Sequence, residues 1–367
     1  MYFLRFCLIS HASNNDGRLN NLLNVFSHLG ELCCITQGSH PFNENNIVHD
    51  CNYFTFIFKA LKYAMSLDNV DAFVLDNRKA ALIGLILMKL RKLLNRRSIY
   101  IYDCRELYLM HDVKHFVGKV GCFFEKYMIK KADILICANQ ERAKFMCDIY
   151  SLQEIPLVYE NVRQLAYESY DAFLKAQERF KFFIHDDEIR IVSSCGCDIS
   201  RGNDALVKSL TKINRKCRLF LCGKSSAQDE RYLRKLIRQL GLDNVEITGM
   251  LSHSELKFLI QHSHIGIVSY KQNDFNNRFC ASGKLYEFIY EGIPIVTTTN
   301  PPLKRLCDQH HIGVTDDTYS AGINTVLNNY DYFVERVRAF AAHHTIKQND
   351  DALSAELKAR LSISGNL

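Results

Sequence analysis

A chain of 367 residues exceeds what one ordinary hydrophobic core organises, and it predicts two domains. Hydrophobic residues at 47% and charged residues at 23% exclude the disordered and fibrous classes. A net charge of +6 is too modest an excess to point to nucleic acid as a partner.

The first apolar run, Tyr2 to Ile9, is too short for a secretory h-region and reads as a first strand, which leaves a cytoplasmic protein as the expectation. The chain holds fourteen cysteines, scattered and without a C-x-x-C pair. Neither the adjacent Cys33 and Cys34 nor the Cys195-Gly196-Cys197 spacing suits structural zinc. A disulfide framework is one reading; buried reduced thiols fit better a large chain without a leader.

Apolar runs rich in β-branched and aromatic residues predict strands at Phe3–Ser10, Leu32–Thr36, Ala72–Leu75, Ser98–Tyr102 and Ile134–Ala138. Helical periodicity lies between them at Leu19–Leu29, Ile57–Ser66, Ala80–Leu94 and Val117–Lys131. The apolar part of the third helix, Ala80 to Met88, is far short of the ~20 residues that span a bilayer. Its continuation, Lys89 to Arg97, and the stretch Lys114 to Lys131 are basic and interleaved with apolar residues. Each is either a solvated helix face or a surface that rests on an anionic membrane.

Residues 161–187 are polar and aromatic, with a helix at Tyr170–Phe180, and read as the connection between halves. A second series of strands follows at Ile189–Ser194, Arg218–Cys222, Val245–Thr248, Ile265–Ser269 and Ile293–Thr299. Helices at Asp204–Ile213, Asp229–Leu240, Ser254–Gln261 and Lys284–Tyr290 separate them, and Asp350–Leu361 closes the chain as an amphipathic helix. Two successive α/β series predict two Rossmann-like domains, each a parallel sheet with helices on both faces. The expected organisation is a first domain over 1–165, a linker over 166–187, a second domain over 188–345 and a terminal helix over 346–367.

The densest signal is the run from Ser282 to Val296. Ser282 is placed to cap a helix, Gly283 to let a ligand approach the backbone, and Gly292 with Pro294 to stop the helix. Lys284 and Glu287 share one helix face. A cation beside a helix N-terminus opposes the dipole unless an anion joins it, and a phosphate would satisfy both. Glu287, one turn deeper, is placed to accept from a sugar diol. A surface helix with an incidental lysine and glutamate is the rival reading.

This segment resembles the donor-binding helix of GT-B glycosyltransferases of family 4, where Pro/Ser-x-Lys-Leu-x-Glu-Tyr runs into Gly-x-Pro-Val-Val. The resemblance covers about residues 3 to 345. It implies a GT-B fold, α/β with two Rossmann-like domains facing across a cleft, and a final helix that crosses back to the first domain. Glu287 takes the ribose role in that family. Arg201-Gly202 matches a Lys-Gly that grips the diphosphate, while Cys197 stands where an arginine is common. Gly196, Gly223-Lys224 and Gly249 match strand-end turns around the donor. Asn277 lies in the loop expected to reach the sugar, and Phe279 occupies the position, eight before Glu287, where many members carry a first glutamate.

In the first half, Asp16-Gly17-Arg18 resembles the D-x-R turn at the mouth of the cleft, an acceptor-side element. Asp103, Arg105 and Glu106 in Tyr102–Tyr108 are similar to the family's Y-D-x-H-E-L segment, which makes Asp103 and Glu106 the candidate acid/base pair. Ala132 to Arg142 and Asn161 match fold markers. The resemblance implies transfer of a sugar from a nucleotide diphosphate donor to a glycan or lipid-linked glycan, with retention, in synthesis of a bacterial surface polysaccharide. No Asp-x-Asp occurs, in keeping with a metal-independent site, and no cofactor is expected beyond the donor. A non-catalytic GT-B scaffold, favoured by Phe279 and Cys197, and a sugar-nucleotide epimerase are the alternatives.

Overall fold

The computed structural model describes residues 4–13, 16–37, 52–184 and 187–364. It divides into two compact units, Met1–Asn161 joined by Ile346–Leu367, and Val162–Thr345. The ends of the first expected strand and of the last helix, and two residues of the expected linker, lie outside the described residues.

The first unit holds strands β1 (Leu4–Ser13), β2 (Gly30–Gln37), β3 (Ala72–Asp76), β4 (Ile99–Cys104), β5 (Ile134–Cys137) and β6 (Leu157–Val158). They pair in the order β2-β1-β3-β4-β5-β6, all parallel. Every residue of β3 and β5 is buried, as expected of strands covered on both faces. Helix Gly17–Leu29 shows how the periodicity becomes packing. Asp16 caps it, accepting from the Leu19 amide at 3.0 Å, and Leu19, Leu22, Leu23 and Phe26 form its buried face. The closing helix, Ile346–Ser364, presses Leu353, Leu357 and Leu361 into the same core cluster. Their spacing of four keeps all three on one face.

The second unit holds β7 (Ile189–Ser193), β8 (Cys217–Cys222), β9 (Val245–Gly249), β10 (Ile265–Val268), β11 (Ile295–Thr297) and β12 (Gly313–Thr315). Their order is β12-β11-β10-β7-β8-β9, again parallel throughout. Chain order therefore runs outward from β7 in one direction and from β10 in the other.

The stretch 166–187 is not a bare connection, which corrects the expected linker. Its helix, Tyr170–Phe180, packs on the helix His253–Gln261, with Phe173 edge-on to Phe258 at 5.8 Å. The Ser254 hydroxyl accepts from the Glu168 amide at 3.0 Å. Of its aromatic residues Phe173 makes this contact and Phe180 is buried edge-on to Phe220, while Tyr170 and Phe182 are exposed. The described cysteines are all free thiols, most of them buried. Among the described residues no helix is long and apolar enough to cross a membrane.

Candidate functional site

In an open parallel sheet the crevice forms where neighbouring strands send their connections in opposite directions. In the second unit that point lies between β7 and β10. The chain leaves β7 through Ser194-Cys195-Gly196 and β10 through Ser269-Tyr270. The Arg201 guanidinium lies over the Tyr270 ring at 4.9 Å, and the Tyr270 hydroxyl donates to Ser282 Oγ at 3.3 Å. Burial pushes the Cys195 thiol up, against the charges of Arg201 and Lys284, so both cations stand close to this turn. Ser269 Oγ donates to the Arg201 carbonyl and meets the Tyr319 hydroxyl at 2.7 Å. Gly202 has φ of +75°, and a Cβ there would stand 2.7 Å from that hydroxyl, so the turn that presents Arg201 requires glycine.

Helix Gly283–Tyr290 opens at this place. Its inner face, Leu285, Phe288 and Ile289, is buried. Phe288 sits over Gly266 of β10, where a Cβ would come within 2.4 Å of the ring. Lys284 Nζ contacts Glu287 at 2.9 Å and 3.3 Å, with side chains 29% and 4% exposed. The expected lysine and glutamate thus form a pair on one face. Two expectations change. Ser282 holds the N-cap position, but its side chain makes no capping bond and is engaged by Tyr270 instead. The space beside Gly283 is filled by the Arg163 side chain, whose Cδ lies 2.6 Å from where a Cβ would be.

The glycine turns at the other strand ends interlock. Gly223 has φ of +119°, and its Cβ would lie 2.8 Å from the Gly196 Cα. The Gly196 amide donates to the Cys222 carbonyl at 3.2 Å and the Gly223 amide to the Gly249 carbonyl at 2.8 Å. Gly249 has φ of +69° and open space around it, so turn geometry alone accounts for it. Lys224 is exposed. Cys197 is fully buried and its thiol donates to the Gly223 carbonyl at 3.3 Å, so it braces the loop and supplies no charge. The Asn277 side-chain amide donates to Asp274 at 2.7 Å within a short helical turn, Phe275–Arg278, so the loop expected to reach the sugar is braced by its own residues. Phe279 stacks on Phe275 at 6.4 Å.

The first unit places its candidates differently from the expectation. Asp103, in β4, is 0% exposed, and both its oxygens are held by Arg18, at 2.8 Å and 2.6 Å. Arg18 donates its remaining arm to the Tyr159 carbonyl at 2.8 Å and is 4% exposed. A bidentate pair without solvent is a structural element, so this structure shows the expected acid/base candidate Asp103 and the expected acceptor-side Arg18 as partners of each other inside the first unit. Asp16 caps its helix and accepts from Arg105, which also reaches Asp76 at 3.4 Å. Glu106 is half-buried, and its charge is felt by Arg78 and Glu125 rather than by this group.

Asp76, at the end of β3, is the residue the sequence reading missed. A strand-terminal acid in a parallel sheet was its only signal. It accepts from Ser10 through Oδ2, while Oδ1 is buried without a hydrogen-bond partner. Burial pushes its carboxyl up to about 6, against the Arg105 guanidinium, and Glu125 is raised by burial to about 7. Carboxyls that hold protons more tightly folded than unfolded stabilise the fold at low pH and lose that contribution as pH rises through the folded values. The stability of this unit should therefore fall between about pH 4 and 7, by on the order of 1–3 kcal/mol for Asp76. Urea titrations across that range should show the slope, reduced in Asp76→Asn.

Two parallel-sheet units, the second with a cation-bearing helix at its switch point, make this a GT-B fold. Residues 175–350 match the profile of the family described as Glycosyl transferases group 1. Sucrose-phosphate synthase from Thermosynechococcus elongatus is similar over 99% of this chain and 100% of its own, with TM-score 0.69 and 16% identity. HepE of Anabaena in complex with UDP-glucose is similar over 97% and 100%, with TM-score 0.71 and 13% identity. A glycosyltransferase from Rickettsia africae is similar over the whole of both chains, with TM-score 0.71 and 15% identity. Likeness at such identity speaks for the fold. No curated protein matches the sequence.

Proposed function

We propose that this chain transfers a sugar from a nucleotide diphosphate donor to a hydroxyl of a glycan or lipid-linked glycan. The observation that carries the reading is the Lys284–Glu287 pair on a helix that opens at the β7/β10 switch point, with Arg201 over the Tyr270 ring, whose hydroxyl reaches Ser282 at the helix start. When a donor enters, Lys284, the more exposed partner, turns to the diphosphate. Glu287 is then released to accept from the ribose hydroxyls. Arg201, Lys284 and the helix N-terminus stabilise the charge that develops on the leaving diphosphate, an electrostatic task that needs no metal. Retention of configuration, a family 4 assignment and a role in bacterial surface polysaccharide synthesis complete the reading.

Thermal unfolding with UDP, GDP, CDP, ADP and their sugars tests it. One base should raise the midpoint, by an amount equivalent to about 2.7 kcal/mol at a hundred times its Kd. EDTA should leave that shift unchanged. The buried Phe279 and the locked Asp103 favour one rival, a scaffold without activity. Absence of a shift with every nucleotide would put that rival first.

The first unit also presents the surface that suits a lipid-linked acceptor. Phe123, Phe124 and Tyr127 line a groove of about 730 Å³ with Lys89, Lys92 and Lys131, while Phe116 and Val117 are largely exposed nearby in sequence. Apolar side chains ringed by lysines fit an anionic membrane face, which supports a reading of the protein as cytoplasmic and peripheral on the inner surface of the membrane. Sedimentation with phosphatidylglycerol vesicles, reversed by high salt, is the expected result. Equal recovery with neutral vesicles would sink the idea.

A further inference from the structure

We propose that Cys7 and Cys33 are a modification site of the first unit, a thiol pair that a small disulfide such as oxidised glutathione converts into a reversible bond between β1 and β2. The inference is independent of the donor-site reading above. The two residues are direct partners in the parallel register of the strands. Such partners stand about 4.8 Å apart at Cα and send their side chains to one face, within the separation of about 4.4–6.8 Å that a disulfide spans. The two thiols hydrogen-bond to each other, and Cys33 Sγ donates to the Tyr63 hydroxyl at 3.6 Å. Cys34 is next in the chain but belongs to the core cluster on the other face, with Leu19, Leu23 and Leu357. The register, not adjacency in sequence, makes the pair.

The surroundings give the two sulfurs different tasks. Cys33 is half-buried and Cys7 fully buried, so a small disulfide reaches Cys33 first. The bond to Cys33 and burial push the Cys7 thiol up, which protects it from solvent chemistry, while the charge of Arg91 works the other way. Arg91 is 1% exposed and lies over the ring of Phe73, the β3 partner of Cys7, at 5.1 Å. It donates to the Leu67 and Asp68 carbonyls, and its Nε is buried without a hydrogen-bond partner. A buried cation beside a thiol favours the thiolate that attack requires. In the first step the Cys33 thiolate attacks one glutathione sulfur and expels one glutathione thiolate. The Cys7 thiolate then attacks the Cys33 sulfur and expels the second, and each departing thiolate takes up the proton a cysteine has lost. The bond closes the loop that holds helix Gly17–Leu29 and ties the edge strand β2 to its neighbour.

The test incubates the folded full chain with oxidised glutathione, alkylates the remaining thiols and maps the peptides without reduction. Wild type should yield a peptide that joins Cys7 to Cys33, and dithiothreitol should return both to alkylatable thiols. Cys7→Ser, or Cys7→Ala if the serine variant does not fold, should instead keep glutathione on Cys33. That adduct should last at least about a hundredfold longer than in wild type, since the internal attack is gone. Cys34→Ser should match wild type. A stable glutathione adduct on Cys33 of wild type, with Cys7 still a thiol, overturns the proposal. A bridge between Cys33 and Cys34, or a Cys7–Cys33 peptide that appears only in urea, overturns it as well.

Discussion

Asp103→Ala should destabilise the first unit by about 3–5 kcal/mol, and Arg18→Ala by a similar amount, because each leaves the other charge buried without its partner. The pair is dry on both sides, and all three arms of the guanidinium are used, two on Asp103 and one on the Tyr159 carbonyl. The effect reaches further than β4. Tyr159 donates through its hydroxyl to Asp350 of the closing helix, and Asn24 donates to the other oxygen of Asp350 at 3.1 Å. Losing Arg18 therefore loosens the seat of Tyr159 and, through it, the contact that holds the terminal helix. Replacing both partners, as in Arg18→Met with Asp103→Leu, should recover most of the loss, since no lone charge remains. Chemical denaturation of the two single variants and the double variant decides the matter. A catalytic Asp103 would give the opposite pattern, with Asp103→Ala folding normally and failing only in turnover.

Lys284→Ala and Glu287→Ala should each weaken nucleoside diphosphate binding by about a hundredfold, close to 2.7 kcal/mol. They should differ in the absence of ligand. Glu287 is 4% exposed, and removing Lys284 strands its carboxylate against the helix. Lys284, at 29%, reaches water when its partner is removed. Lys284→Ala should therefore melt earlier than Glu287→Ala, by the equivalent of about 1 kcal/mol, a figure reduced for the partial exposure of the pair. Ligand-free melting curves of the two variants read this difference, and ligand titrations read the first. Equal nucleotide stabilisation of wild type and both variants would remove the helix from the binding site.

The alternation of β-branched runs and helical periods was sufficient to place two parallel sheets, because those patterns are set by local geometry and by one buried face per element. The run from Ser282 to Val296 likewise announced its helix, its stop at Gly292 and the shared face of Lys284 and Glu287, since residues three apart on a helix must be neighbours. Short elements escaped. Strands β6 and β12 carry two and three residues, and no period can be read from so few. The linker was misjudged because Phe173 meets Phe258 eighty-five positions later, a contact without any local trace.

Site chemistry divides in the same way. From the sequence alone came the residue types at strand ends: Arg201, Lys284 and Glu287 in the second unit, Asp16, Arg18, Asp103 and Glu106 in the first. Only the tertiary structure decided which of these charges meet each other. Arg18 and Asp103 are eighty-five residues apart and cancel in the core, and Gly283 faces Arg163 from one hundred and twenty residues away. Helix propensity and hydrophobic period act over a few residues and are written locally. Pairing of charges depends on which loops the sheet order brings together, and that order exists only once the strands have assembled.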